Sequence, residues 1–107
     1  MGVEHKNVGN IAVCRFVVKT GKEEEFEKLL SKHYPTLDRL GLVEREPHLT
    51  LRGKDRQGRT FYVEILPWKN DEAVRRAHEL PEVGAVWEPM GPLCDEMDFP
   101  HAELLHH

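Results

Sequence analysis

The sequence predicts an α+β fold: one four-stranded antiparallel sheet with helices on one face, in the order β-α-β-β-α-β. Three observations carry this. The first apolar run is rich in β-branched residues on both alternating faces. Two strand-like runs in mid-chain are joined by a short polar loop. Each half of the chain also holds an apolar stripe at helical spacing behind an N-terminal capping pattern.

Residues 1–9 read as a polar lead-in, and 10–105 as a single domain with no linker or repeat. The run 10–18, NIAVCRFVV, puts Ile11, Val13 and Val17 on one face and Ala12, Cys14, Phe16 and Val18 on the other. A strand apolar on both faces is covered on both. Arg15 is its single charged residue. Thr20 with Glu23 fits a capping box, and Phe26, Leu29, Leu30, His33, Leu37 and Leu40 follow at helical spacing. Pro35 is expected to kink or break this helix near His33, and Gly41 to stop it.

Leu42–Gly53 and Thr60–Trp68 read as a hairpin around the loop 54–59. The favoured register sets Thr50 opposite Glu64, Arg52 opposite Tyr62, Leu49 opposite Ile65 and Leu51 opposite Val63, because a one-residue slip would mix polar and apolar faces. Asn70 caps a second helix with Asp71 and Glu72 in its first turn and Ala73, Val74, Ala77 and Leu80 along its stripe. Pro81 suits the start of a further helical piece, while Pro89, Gly91 and Pro92 argue against one smooth helix there. Met97–Leu105 is the expected last strand, held to an edge or a bulge by Pro100. His106 and His107 read as a tag remnant. The whole order is the ferredoxin-like split βαβ pattern. It leaves one sheet face without cover, so a homodimer with facing sheets is expected.

Composition narrows the function classes. The chain has 107 residues, 32% of them charged, and a net charge of −4, a poor match to the basic footprint of nucleic-acid binders. No apolar run approaches the roughly 18 residues of a membrane span, and the start lacks the apolar region of a signal peptide. Two cysteines, Cys14 and Cys94, make neither a disulfide framework nor a metal knuckle, so a reducing, cytoplasmic setting is expected.

The segment from Tyr62 to Pro81 (YVEILPWKNDEAVRRAHELP) resembles the antibiotic biosynthesis monooxygenase-like family, with an acid and an aromatic ending the third strand, a capped Glu-Ala helix, an Ala-His pair and a Pro. The Gly-Lys-Glu-Glu-Glu-Phe helix start agrees, and the likeness spans about 10–104. The resemblance implies a dimeric α/β barrel with a pocket between sheet and helices in each subunit. Some members of that family oxygenate phenolic polycyclic substrates without metal or flavin; others degrade haem. The haem-degrading pattern of Asn, Trp and His is not met: His78 falls near the Trp position, Trp87 or Glu88 near the His position, and Asn10 lies at the strand's edge.

The candidate catalytic residues are His78, Glu64 and His48. An imidazole could deprotonate a phenol and permit direct reaction with oxygen; the alternative for His78 is a bond to backbone at a helix end. Glu64 and His48 share the polar face of the hairpin and would orient the reacting groups. The alternative for Glu64 is an ion pair with Arg15 or Arg52. Trp68, Tyr62 and Trp87 could wall a flat ligand, with Arg15 as a further binding candidate. His48, His78 and His101 are the plausible inward histidines, while His5 and His33 read as solvated. No metal spacing is present, and no metal or cofactor is expected. Cys14 reads as an apolar filler, and the run Glu23–Glu25 as a solvated helix start. The expected function is that of a small cofactor-independent monooxygenase acting on an aromatic or polyketide-like molecule. The alternative is a non-catalytic ligand-binding or stress-associated homodimer of the same fold.

Overall fold

A computed structural model describes residues 10–105; the expectations for 1–9 and for His106 and His107 lie outside the described residues. The chain runs β1 (Ile11–Val18), α1 (Glu23–Arg39), β2 (Leu49–Lys54), β3 (Thr60–Pro67), α2 (Asp71–Ala77), α3 (Pro81–Met90), a single 3-10 turn, β4 (Cys94–Asp98) and β5 (His101–Ala102). The sheet is antiparallel in the order β2-β3-β1-β4, with β5 also on β1. This is the ferredoxin-like arrangement.

Register follows the side-chain pattern. Cys14 lies opposite Glu64, Ala12 opposite Leu66 and Phe16 opposite Tyr62. In the hairpin, Thr50 faces Glu64 and Leu49 faces Ile65, as the pattern requires. Ala12, Cys14, Phe16 and Val18 therefore pack on one face with Phe26, Leu30 and Leu37 of α1 and Val83, Val86 and Met90 of α3. Among the described residues no helix covers the opposite face: Leu49 and Leu51 are 46% and 55% exposed, and Val13, Val63 and Ile65 are half-buried.

Several elements differ from expectation. α1 continues through Pro35. The carbonyl that loses its partner there, four residues back, is that of exposed Ser31, and Leu37 beyond the proline is fully buried, which anchors the last turn. Thr20 does not cap this helix: the cap residue is Lys22, which makes no side-chain cap bond, and only the Glu23 carboxylate reaches back, to the Gly21 N–H at 2.9 Å. β2 starts at Leu49 rather than Leu42, because Pro47 has no N–H for the ladder; Val43 keeps one bridge to Trp68. α3 runs through Pro89 before the 3-10 turn. The last strand begins at Cys94 and is split at Phe99–Pro100 into β4 and β5, with the Pro100 carbonyl still accepting from the Val13 N–H at 2.8 Å.

Candidate functional site

A cavity of about 290 Å³ lies between the sheet and the helices. β1 supplies Ala12, Cys14 and Phe16 to its wall, β3 supplies Leu66, and Trp68 follows β3. Val74, Trp87 and Met90 come from α2 and α3, and Met97 and Phe99 close the edge. Three histidines interrupt this apolar lining: His33, His78 and His101.

His78 ends α2 because the Asn70 cap sets that helix's start; the Asn70 side chain accepts the Ala73 N–H at 2.8 Å. Its Nδ1 sits 2.9 Å from the Val74 carbonyl. A carbonyl only accepts, so Nδ1 carries the hydrogen, and Nε2 has no partner among the described residues. The backbone bond foreseen as an alternative role thus coexists with a place in the cavity wall. The ring meets Trp87 edge-on, with centroids 4.9 Å apart. His101 donates to Asn10 Oδ1 at 2.8 Å, and the Asn10 amide binds Asp71.

His33 corrects the sequence reading. It is 4% exposed rather than solvated, and its Nδ1 lies 2.7 Å from Glu64 Oε1. Trp87 Nε1 donates to its Nε2 at 2.8 Å. The signal was present in the sequence: His33 stands in the apolar stripe between Leu30 and Leu37, on the face that must be buried. Glu64 is also corrected. Neither Arg15 nor Arg52 pairs with it; its second oxygen, Oε2, receives His48 Nε2 at 3.0 Å. With 1% exposure and both oxygens partnered, Glu64 sits behind His33. His48 lies behind Glu64, outside the cavity lining, its ring stacked on Tyr34 at 3.9 Å.

The other candidates divide. Trp68 and Trp87 line the cavity; Tyr62 and Arg15 do not. The Tyr62 hydroxyl donates to Glu27 Oε2 at 2.6 Å, and Arg52 donates to the same oxygen at 2.7 Å. Burial first, and this bond second, push the Tyr62 phenol up to about 12. Arg15 projects on the other sheet face, over Phe61 at 5.5 Å and toward Glu96 at 3.4 Å. Cys14 lines the cavity as a neutral thiol: burial chiefly, and the Glu64 charge next, push it up to about 12. Among the described residues no group of three or more His, Cys, Asp or Glu side chains is arranged to hold a metal ion, and no helix is long and apolar enough to cross a membrane.

No family model matches the sequence, and no curated protein matches it. Solved structures do. SnoaB from Streptomyces nogalater, a cofactor-independent oxygenase, superposes with a TM-score of 0.68 at 22% identity, over 91% of this chain and 93% of that one. Two proteins described as putative antibiotic biosynthesis monooxygenases also match. The one from Nitrosomonas europaea has a TM-score of 0.73 at 14% identity and covers 97% of both chains. The one from Bacteroides thetaiotaomicron has a TM-score of 0.70 at 16% identity, over 91% of this chain and 90% of that one. At such identities the likeness establishes the fold alone: it is the fold of the antibiotic biosynthesis monooxygenase-like proteins.

Proposed function

We propose that this protein is a cofactor-independent monooxygenase whose substrate is a flat aromatic or polyketide-like small molecule held in the cavity. The observation that carries this reading is His78: an imidazole on the wall of an apolar, Trp-lined cavity, with Nδ1 tied to backbone and Nε2 unpartnered among the described residues. The fold shared with SnoaB supports it.

In this reading Trp68 and Trp87 hold the ring system, and His78 Nε2 removes a proton from an activated ring carbon. The carbanion adds to molecular oxygen, giving a peroxide anion. His78 returns the proton, and loss of water leaves a carbonyl where a methylene stood. The oxygen molecule supplies one atom to product and one to water, so the balance needs no further oxidant. Glu64 acts from behind by holding His33, and His48 by holding Glu64. We also assign the uncovered sheet face to a second copy of the chain, giving a homodimer.

Oxygen uptake with anthrone-like substrates tests the assignment. The wild type is expected to consume oxygen and form the quinone, and His78→Ala to lose about 100-fold in kcat, the scale of one general base. Undiminished turnover in His78→Ala sinks the role given to that residue; ligand binding without turnover in the wild type sinks the enzymatic reading.

A further inference from the structure

The bonds around His33 leave it one tautomer. An indole N–H can only donate, so the Nε2 that faces Trp87 at 2.8 Å carries a lone pair. The hydrogen therefore sits on Nδ1 and is donated to the Glu64 carboxylate at 2.7 Å. The carboxylate is fixed in turn by His48 on its other oxygen, at 3.0 Å. A carboxylate behind an imidazole whose outer nitrogen holds a donor is the arrangement that makes histidine a base toward a hydroxyl. Here an indole occupies the hydroxyl's place, at the wall of the cavity.

We propose that the Trp87–His33 pair is the seat of a ligand hydroxyl, a phenol or an enol, which inserts between the indole N–H and His33 Nε2 and is ionised there. The ligand's O–H bond breaks and an N–H bond forms at Nε2. The electron pair stays on the ligand oxygen, which accepts the Trp87 N–H. The proton only moves from the ligand to His33, so net charge is unchanged and no oxidant takes part; the imidazolium keeps its other hydrogen on Glu64, whose negative charge stabilises it. The two partners belong to different helices, α1 and α3, and Trp87 is only half-buried, so the pair can part toward the cavity without breaking either helix. The inference rests on the aromatic-substrate reading above and deepens it: His33 meets the substrate's hydroxyl, whereas His78 meets the reacting carbon. Glu64 acts through His33 and is a positioning residue.

The test uses the full chain and para-nitrophenol, whose absorbance reports its ionisation and which has no reactive methylene. At a pH where the free dye is mostly neutral, the wild type is expected to bind it as the phenolate. His33→Gln and Trp87→Phe should each lower the ionised fraction of bound dye by about tenfold or more, the scale of a hydrogen bond to a charged group. Glu64→Gln should move it in the same direction. His78→Ala should bind the dye as phenolate, although oxygen uptake depends on that residue, so failure of the oxygenase reading and failure of this one are told apart. Dye that stays neutral on the wild type, or fails to bind, overturns the proposal. So does ionisation that follows His78 rather than His33. Should His33→Gln not fold, Trp87→Phe decides alone: an unchanged ionised fraction overturns the proposal.

Discussion

Glu64 is tolerated in the sheet because each of its oxygens has a histidine on it. A lone buried carboxylate costs several kcal/mol, and that cost is met only where its lone pairs are satisfied. Removing the carboxylate leaves two imidazole N–H groups without their acceptor, so Glu64→Ala is expected to lose about 3 kcal/mol of stability. Urea denaturation measures it; a loss below about 1 kcal/mol, the level of an ordinary neutral hydrogen bond, would contradict this account of the trio. Tyr62 and Arg15 show the opposite case. Both were candidates from sequence, but Tyr62 is spent on Glu27 and Arg15 points to the far face. Strand alternation placed Arg15 there, while only the position of α1 could bring Glu27 to the Tyr62 hydroxyl.

Two helix ends were readable from local chemistry, the Asn70 cap and the Gly41 stop. Gly41 closes α1 with φ +74°. Its N–H bonds the Asp38 carbonyl and the Leu42 N–H bonds the Leu37 carbonyl, both at 3.0 Å, which is the Schellman pattern. A Cβ at Gly41 would meet nothing within 4 Å, so a substitution there is penalised by backbone conformation alone. Gly41→Ala is therefore expected to destabilise by about 1–2 kcal/mol, read as a lower denaturation midpoint with an unchanged slope; an unaltered midpoint would count against it. Interior prolines were less readable. Pro35 and Pro89 both stay inside helices, because tertiary anchoring of Leu37 and Met90 outweighs the missing hydrogen bonds.

As a whole the molecule is a slab 17 Å thick with a radius of gyration of 14.6 Å, above the roughly 13 Å of a compact chain this long. Two layers account for that shape, sheet and helices, with Leu49 and Leu51 on the open side. This is the surface that a second copy would cover in the pairing proposed above. The proposed homodimer predicts a light-scattering mass of about 25 kDa, twice the 12.4 kDa of one chain, and a shift toward one chain's mass in Leu51→Glu. A wild-type mass of one chain at micromolar concentration would remove the pairing.

Periodicity and turn chemistry, read from the sequence alone, determined the order of strands and helices, the hairpin register, the Asn70 cap and the apolar faces of β1. These depend on neighbours a few residues away or on a period of two or 3.6, both visible in a linear string. They also brought forward His78 and Trp68, at the ends of α2 and β3, and Trp87 within α3, all of which line the cavity. Tertiary structure alone decided the partners of Glu64 and of His33; the apolar stripe marked the face on which His33 lies, but not the groups that satisfy it there. Residues 31 apart meet because α1 crosses β3 at that point, and the Trp87 bond that fixes the tautomer spans 54 positions. A histidine in an apolar stripe is compatible with either a satisfied or a solvated side chain; only the helix's position over the sheet brings the carboxylate that makes burial favourable.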